Sequence, residues 1–350
     1  MSQGIRWSTY VPASTAGGLR VAAPDEDPFT LVATALELGI SASAPSRPLA
    51  RIDLVGDCPP VADWGLAALL GTPLEITRHP AGPAAFHSAL ETLGKGLPPG
   101  RSGAVVAAEI PERSAEGAPN RGGAPGAAAV AAWVDGADGG RGFSFEEFEG
   151  TGGVVEAAFS RWRTRAPGSS EVWLGEWGAE PSAGRSVDLE RVLAAAQPSL
   201  SAVSEGAYVS RSRYLENLPS RWRFVAEECD ACGARTFPAR GVCRRCGNGE
   251  RLRATSLPTE GATVVAATWI GPGGQPTEFD AQVAAMGGYG VVLADLAPGA
   301  RVTLQVTDAD PGEVVIGSRV GTRLRRLYPM EGEWRYGRKA VPRPRPPPSG

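Results

Sequence analysis

Histidine is almost missing from these 350 residues: only His79 and His87 occur. Histidine is the commonest general base in enzymes, so base-dependent chemistry has few places to act from. Lysine is equally scarce, two residues against 33 arginines. With 46 glycines and 31 prolines, that bias reads as the imprint of a GC-rich genome rather than of a function. No apolar run reaches the roughly 18 residues that a membrane-spanning helix needs. The first residues lack a basic stretch followed by an apolar core, so the expected compartment is the reducing cytoplasm, with no membrane as partner. Cysteine is limited to five residues, four of them in one short run. The net charge of −3 is unevenly spread: residues 206–350 hold 20 Arg/Lys against 14 Asp/Glu, a net of +6, which leaves −9 for the remainder. A mildly basic C-terminal part suits a nucleic acid, a phosphorylated cofactor or an acidic protein.

The cysteine run reads CDACGARTFPARGVCRRCG, with Cys229-x2-Cys232 and Cys243-x2-Cys246. Two CxxC pairs on facing turns bring four thiolates to the corners of one tetrahedron, the geometry of a structural Zn²⁺ site. Each pair is followed by glycine, Gly233 and Gly247, which permits the tight turn that aims both sulfurs inward. Four thiolates leave no position for water, so this site staples a fold and does not catalyse.

The segment 1–165 alternates short apolar runs with Ala/Leu-rich stretches of helical period. Strands are expected at Gly4–Tyr10, Ile52–Val55, Leu74–Thr77, Ala104–Ala108 and Ala127–Val134. Helices are expected at Asp27–Gly39, Trp64–Leu70 and Gly82–Leu93, and a loop over 112–125. Alternating strands and helices imply a mostly parallel sheet covered on both faces. Residues 166–207 form a less regular linker, with a strand at Glu171–Leu174 and a helix at Leu189–Ala196. Residues 208–250 comprise helices and the zinc ribbon. Over 251–340, strands are expected at Leu252–Leu257, Ala262–Ile270, Gln282–Leu293, Arg301–Thr307 and Val320–Arg326, joined by Gly/Pro turns, a count that suits a small barrel of the OB type. The Pro/Arg-rich tail 341–350 is expected to be disordered.

Tyr214 and Leu218 in a leading helix, the ribbon with its Phe237-Pro238-Ala239-Arg240 insert, a barrel beginning near Gly261 and the late Val315-Ile316-Gly317-Ser318-Arg319-Val320 follow in order. Together these residues resemble a family of acyl-CoA-associated zinc-ribbon/OB-fold proteins over about 130 residues. The resemblance implies a non-catalytic partner of a thiolase, synthase or aldolase, with a CoA channel shared between subunits. The N-terminal region resembles the first half of a thiolase-fold enzyme of the hydroxymethylglutaryl-CoA synthase and 3-oxoacyl-ACP synthase III type. The resemblance lies in Gly4–Tyr10 with Val11-Pro12, Asp25-Glu26-Asp27, His79-Pro80-Ala81-Gly82-Pro83-Ala84-Ala85 and Gly123–Val134. It places His79 where that family carries its nucleophilic cysteine, and no Cys or Ser lies between Gly71 and Phe86. An imidazole there forms no acyl-storing thioester. The expected architecture is therefore an α/β thiolase-like half domain, then a zinc ribbon, then an all-β OB-fold barrel.

Cys58, after a strand, reads first as a small buried residue at a strand end, with a relocated nucleophile as the weak alternative; His79 reads first as a satisfied loop histidine, with a general base or CoA contact as the weak alternative. His87 reads as a helix packing or surface residue. Asp25-Glu26-Asp27 reads as an acidic helix start. Arg161-Trp162-Arg163 and Arg221-Trp222-Arg223 read first as packing by arginine stems and tryptophan, with phosphate stacking as the alternative. Arg323, Arg325 and Arg326 are candidates for a CoA phosphate or an acidic partner. Three functions compete. The first is an accessory subunit, hetero-oligomeric with a thiolase-fold enzyme and sharing its acyl-CoA. The second is a divergent acyl-CoA condensing enzyme or C–C lyase. The third is a single-stranded nucleic-acid-binding module, disfavoured because the barrel strands hold few aromatics.

Overall fold

A computed structural model describes residues 5–16, 19–43, 47–110, 127–136, 153–164, 172–175, 185–186, 209–310 and 312–342. The chain divides into two compact units, 1–67 with 72–187, and 68–71 with 188–350.

In the first unit a six-stranded sheet has the order β5-β4-β6-β7-β1-β8. Its strands are β1 (Arg6–Tyr10), β4 (Leu49–Val55), β5 (Glu75–His79), β6 (Ser102–Glu109), β7 (Ala128–Asp135) and β8 (Val172–Gly175). A small second sheet joins β2 (Ser14–Ala16), β3 (Leu19–Arg20) and β9 (Arg185–Ser186). The parallel expectation holds for β4–β5, β4–β6 and β1–β8. It fails at β7, which runs antiparallel to both β6 and β1. Between β6 and β7 the sequence has no helical period, and a parallel pair needs a crossover, usually a helix. Strands β6 and β7, at the centre of the sheet, are rich in Ala and Val and are buried on both faces.

Helix α1 (Pro28–Ser43) covers one face. Ser8 Oγ donates to Ala35 O at 2.8 Å and accepts from Trp133 Nε1 at 2.9 Å, tying α1 to β1 and β7. The other face packs Trp7, Val105, Val130 and Val134 against Phe86, Leu90 and Leu93 of α3 (Pro83–Gly96) and Val155 and Ala158 of α4 (Val154–Thr164). Helix α2 (Ala62–Leu70) lies between β4 and β5 in sequence. The acidic start of α1 is a reciprocal cap. Asp27 Oδ1 accepts from Thr30 N at 2.9 Å, and Thr30 Oγ1 accepts from Asp27 N at 2.8 Å.

In the second unit, α5 (Arg211–Glu216) and α6 (Leu218–Arg223) lead into a three-stranded ribbon sheet. It has the order β11-β10-β12, from β10 (Val225–Cys229), β11 (Arg235–Thr236) and β12 (Leu252–Ser256). A five-stranded sheet follows, order β15-β14-β13-β16-β17. Its strands are β13 (Ala262–Ile270), β14 (Tyr289–Ala297), β15 (Ala300–Gln305), β16 (Arg319–Met330) and β17 (Glu333–Pro342). The sheet curls, because Val306, just past β15, bridges Ala340 of β17. Val264, Val292, Leu304, Val320 and Ala340 fill its interior.

Three expectations change here. Leu252–Leu257 is not a barrel strand; it pairs with β10 in the ribbon. Residues 280–286 form a helix, α7 (Asp280–Met286), so the strand expected at Gln282–Leu293 begins only at Tyr289. Ala-Gln-Val-Ala-Ala-Met is good helix sequence, and Gly287 at φ 73° ends it. Strand β17 was not expected at all. It follows a tight turn in which Glu331 and Gly332 both take positive φ, without the Asn-Gly signal usual for such a turn. The loop expected over 112–125, the helix at Leu189–Ala196 and the tail from 343 lie outside the described residues.

Candidate metal centre and docking pocket

Strand β10 ends on Cys229, and the chain turns at once: Gly233 N donates to Cys229 O at 2.7 Å. The second turn repeats the pattern, with Gly247 N donating to Cys243 O at 2.9 Å. Gly233 and Gly247 take φ of 70° and 72°, the left-handed region expected for them. The four sulfurs lie within 4.8 Å of one another. Cys229 Sγ is 3.7 Å from Cys246 Sγ, and Cys232 Sγ is 3.6 Å from Cys243 Sγ. A tetrahedral zinc with Zn–S near 2.3 Å has sulfur–sulfur edges of about 3.8 Å. Disulfides would need about 2.0 Å. The donor set therefore fits zinc. Arg245 N also donates to Cys243 Sγ at 3.4 Å, a bond that favours the thiolate.

The lead-in helices are fastened to β17 by aromatic groups. Tyr214 Oη donates to Tyr336 O at 3.0 Å and accepts from Tyr336 N at 2.9 Å. Trp222 Nε1 donates to the same carbonyl at 2.9 Å. Trp222 is fully buried and is the packing anchor of the Arg221-Trp222-Arg223 motif. Burial pushes the Tyr214 hydroxyl up to about 12 against the opposing hydrogen bond to Tyr336. Between these helices, the ribbon insert and β14–β15 lies a pocket of about 620 Å³. Phe237, Tyr289, Leu304 and Leu327 give it apolar walls, and Arg221, Arg301 and Arg338 enter it. Arg301 is paired with Asp295 at 2.6 Å, and Arg338 donates to Trp222 O at 2.6 Å. Arg221 has no ion-pair partner among the described residues. Sequence reasoning missed this pocket; the one signal was the arginine flanking Trp222.

Arg323, Arg325 and Arg326 are placed inside the chain. Arg325 is wholly buried, with Nη2 3.0 Å from Asp308 Oδ2. Arg323 pairs with Glu260, and the Arg326 guanidinium lies 4.5 Å over the Trp334 ring. Each joins β16 to a neighbour rather than standing on an open strand face. Of Arg161-Trp162-Arg163, only the Arg163 side chain is described, over the Phe159 ring.

In the first unit a cleft of about 230 Å³ lies where β4 and β6 end and α1, α3 and α4 begin, lined by Val55, Gly56, Gly82, Glu109 and Val154 among others. Burial raises the Glu109 carboxyl, opposed by hydrogen bonds from the backbone of Val155 and Val154. Neither Cys58 nor His79 lines this cleft. Burial, reinforced by Asp27, pushes the Cys58 thiol up to about 12, the opposite of an activated nucleophile. His79 ends the edge strand β5, its Nε2 2.6 Å from Oδ1 of buried Asp53, which also takes a bidentate pair from Arg51 at 2.8 Å. His87 pairs with Glu91 one turn along α3, at 3.5 Å. Glu26 accepts from Tyr10 Oη at 2.6 Å and from Ala23 N at 2.8 Å, so it too has a local structural task.

Residues 220–250 match the family model described as the ChsH2 rubredoxin-like zinc ribbon domain. The chain is 27% identical over 132 residues to a DUF35 domain-containing scaffold protein of Methanocaldococcus jannaschii, covering 37% of this chain and 89% of the relative. It is 29% identical over 133 residues to a protein of the same description from Methanothermobacter thermautotrophicus, covering 37% and 95%. Among solved structures it aligns with an Ltp2-ChsH2(DUF35) aldolase at TM-score 0.30 and 18% identity, over 39% of this chain and 98% of that one. It aligns with MvaS in complex with 3-hydroxy-3-methylglutaryl coenzyme A at TM-score 0.32 and 20% identity, over 38% and 39%. The resemblance read from the ribbon sequence is borne out by the family model over 220–250 and by the scaffold-protein relatives.

Proposed function

We propose that this chain is a non-catalytic scaffold subunit of an enzyme complex acting on acyl-CoA thioesters, its partner a thiolase-fold synthase, thiolase or aldolase. The observation that carries the reading is the pairing of a closed four-thiolate centre with an N-terminal unit that lacks an activated thiol. Cys58 is held protonated, and the position corresponding to the nucleophile of the resembled enzymes is His79, hydrogen-bonded to Asp53. A condensing reaction has nothing here on which to store its acyl group. The similarity to scaffold proteins over nearly their whole length supports the same reading.

Within the second unit, the 620 Å³ pocket is the place we assign to a shared thioester. Its apolar walls suit a pantetheine arm or acyl chain, and Arg221 suits a phosphate. The Arg323, Arg325 and Arg326 side chains serve the sheet instead. The test is purification of the tagged chain from its host with identification of what accompanies it, then acyl-CoA turnover with and without the chain. A thiolase-fold partner whose activity requires this chain is expected. Turnover by the isolated chain, lost on Cys58→Ala, would instead favour the condensing-enzyme reading.

A further inference from the structure

The five-stranded sheet has an opening. Strands β13 and β16 pair only at Ala262–Val320 and Thr263–Arg319. Two more bonds, Val264 N to Ser318 O at 3.0 Å and Gly317 N to Val264 O at 2.8 Å, end the contact. Beyond Val264 the pairing shifts register, and Ala266–Ile270 continue against β14 alone. Gly290 O accepts from Val306 N at 2.8 Å, so Gly290 directs its polar groups toward the β15 side. In an antiparallel ladder such groups alternate, so the residues opposite Gly290 and Val292, namely Trp269 and Ala267, turn their N–H and C=O away from β14. They face an open edge.

That edge borders an apolar slot of about 500 Å³. Its far wall is the loop carrying Val314, Val315 and Ile316, and its floor includes Val292 and Val306. The rim holds three of the few exposed large apolar side chains among the described residues: Trp269 at 38%, Val315 at 51% and Ile316 at 69%. Of the lining residues only Asp310 ionises, and Glu313 stands beside it in the loop. The slot thus offers three things together: a row of outward backbone donors and acceptors, apolar wells beneath it, and negative charge at the mouth.

We infer that this slot takes an extended segment of a partner protein, added as a strand along Ala267–Trp269, with alternate apolar side chains turned into the slot and a basic residue toward Asp310 and Glu313. The backbone edge selects a polypeptide over an acyl chain, because an acyl chain leaves those N–H and C=O groups without partners. Charge complementarity selects a basic flank. The chain's own residues 343–350 are basic but contain four prolines, and proline has no N–H to add to a ladder. This inference rests on the scaffold reading for its use in the cell, but not for its test.

The test is to pan a random peptide library against the full zinc-loaded chain. Selected peptides are expected to alternate apolar residues and to carry Arg or Lys at one end. Their affinity is expected to fall about tenfold or more on the Ile316→Asp variant, and by as much when the alternate peptide nitrogens facing β13 are methylated. Ile316 is exposed at a loop tip, so circular dichroism of the variant is expected to be unchanged. No enrichment, or peptides indifferent to both changes, would sink the proposal. So would displacement of the peptide by decanoyl-CoA, a rise in peptide affinity when the chain is cut at 342, or a self-association in sedimentation that Ile316→Asp abolishes. Those three outcomes assign the slot to an acyl chain, to the tail and to a second copy respectively. If the enzyme partner still co-purifies with Ile316→Asp and no peptide is enriched, the slot assignment fails while the scaffold reading survives.

Discussion

Single residues carry the clearest chemistry. A thiol pushed up to about 12 is almost entirely protonated at neutral pH, so Cys58 is expected to alkylate far more slowly than an unfolded-chain thiol at pH 8. Peptide mapping after iodoacetamide treatment of native and denatured chain measures this. Tyr214 yields a second prediction. Its folded value of about 12 lies above its ordinary value of 10.0, so its contribution to stability is complete below pH 10 and is lost as pH rises toward 12. The expected slope is roughly 1.4 kcal/mol per pH unit in that window. In Tyr214→Phe this part of the slope disappears. That variant also strands the Tyr336 amide, at a cost of about 1–3 kcal/mol; urea unfolding across alkaline pH reads both effects.

At the level of elements, the ribbon is a pair of turns held by one ion. Its two-residue β11 and five-residue β10 and β12 bury little apolar surface of their own, so metal binding and local folding are coupled. One zinc per chain is expected by elemental analysis. Cys243→Ser is expected to lose it and to lower the melting temperature, with hydrogen exchange rising first across 225–256. Much of this element was legible in advance: the spacing of Cys229, Cys232, Cys243 and Cys246 and their following glycines specify a local structure independent of the rest of the chain. Other elements were less legible. Strand β17 carries polar residues such as Arg335, Arg338 and Lys339, which are buried here. A strand buried on both faces with charged side chains leaves no alternation to read. Helix α7 lay hidden because seven residues are too few to reveal a helical period.

The whole molecule combines an α/β unit and a metal-stapled β unit, and its activity is expected only in company. The isolated chain is expected to show no acyl-CoA thiolysis, condensation or cleavage above background, while restoring activity to a co-purified enzyme. Arg221→Glu is expected to weaken acyl-CoA retention by the complex about tenfold or more without changing the circular dichroism spectrum. Calorimetric titration of acyl-CoA into the complex measures this.

From the sequence alone came whatever depends on residue type and short spacing: the zinc site, the α/β alternation of the first unit, and the restriction of cysteine outside the ribbon to Cys58. Only the tertiary structure decided what depends on distant segments meeting. It turned Arg325 inward to Asp308, joined Tyr214 to a strand more than a hundred residues away, and left β13 without a strand on its β16 side beyond Val264. The physical reason is that ligand spacing and turn geometry act between neighbours, whereas burial, ion pairing and an open sheet edge belong to packing between segments that no local pattern records.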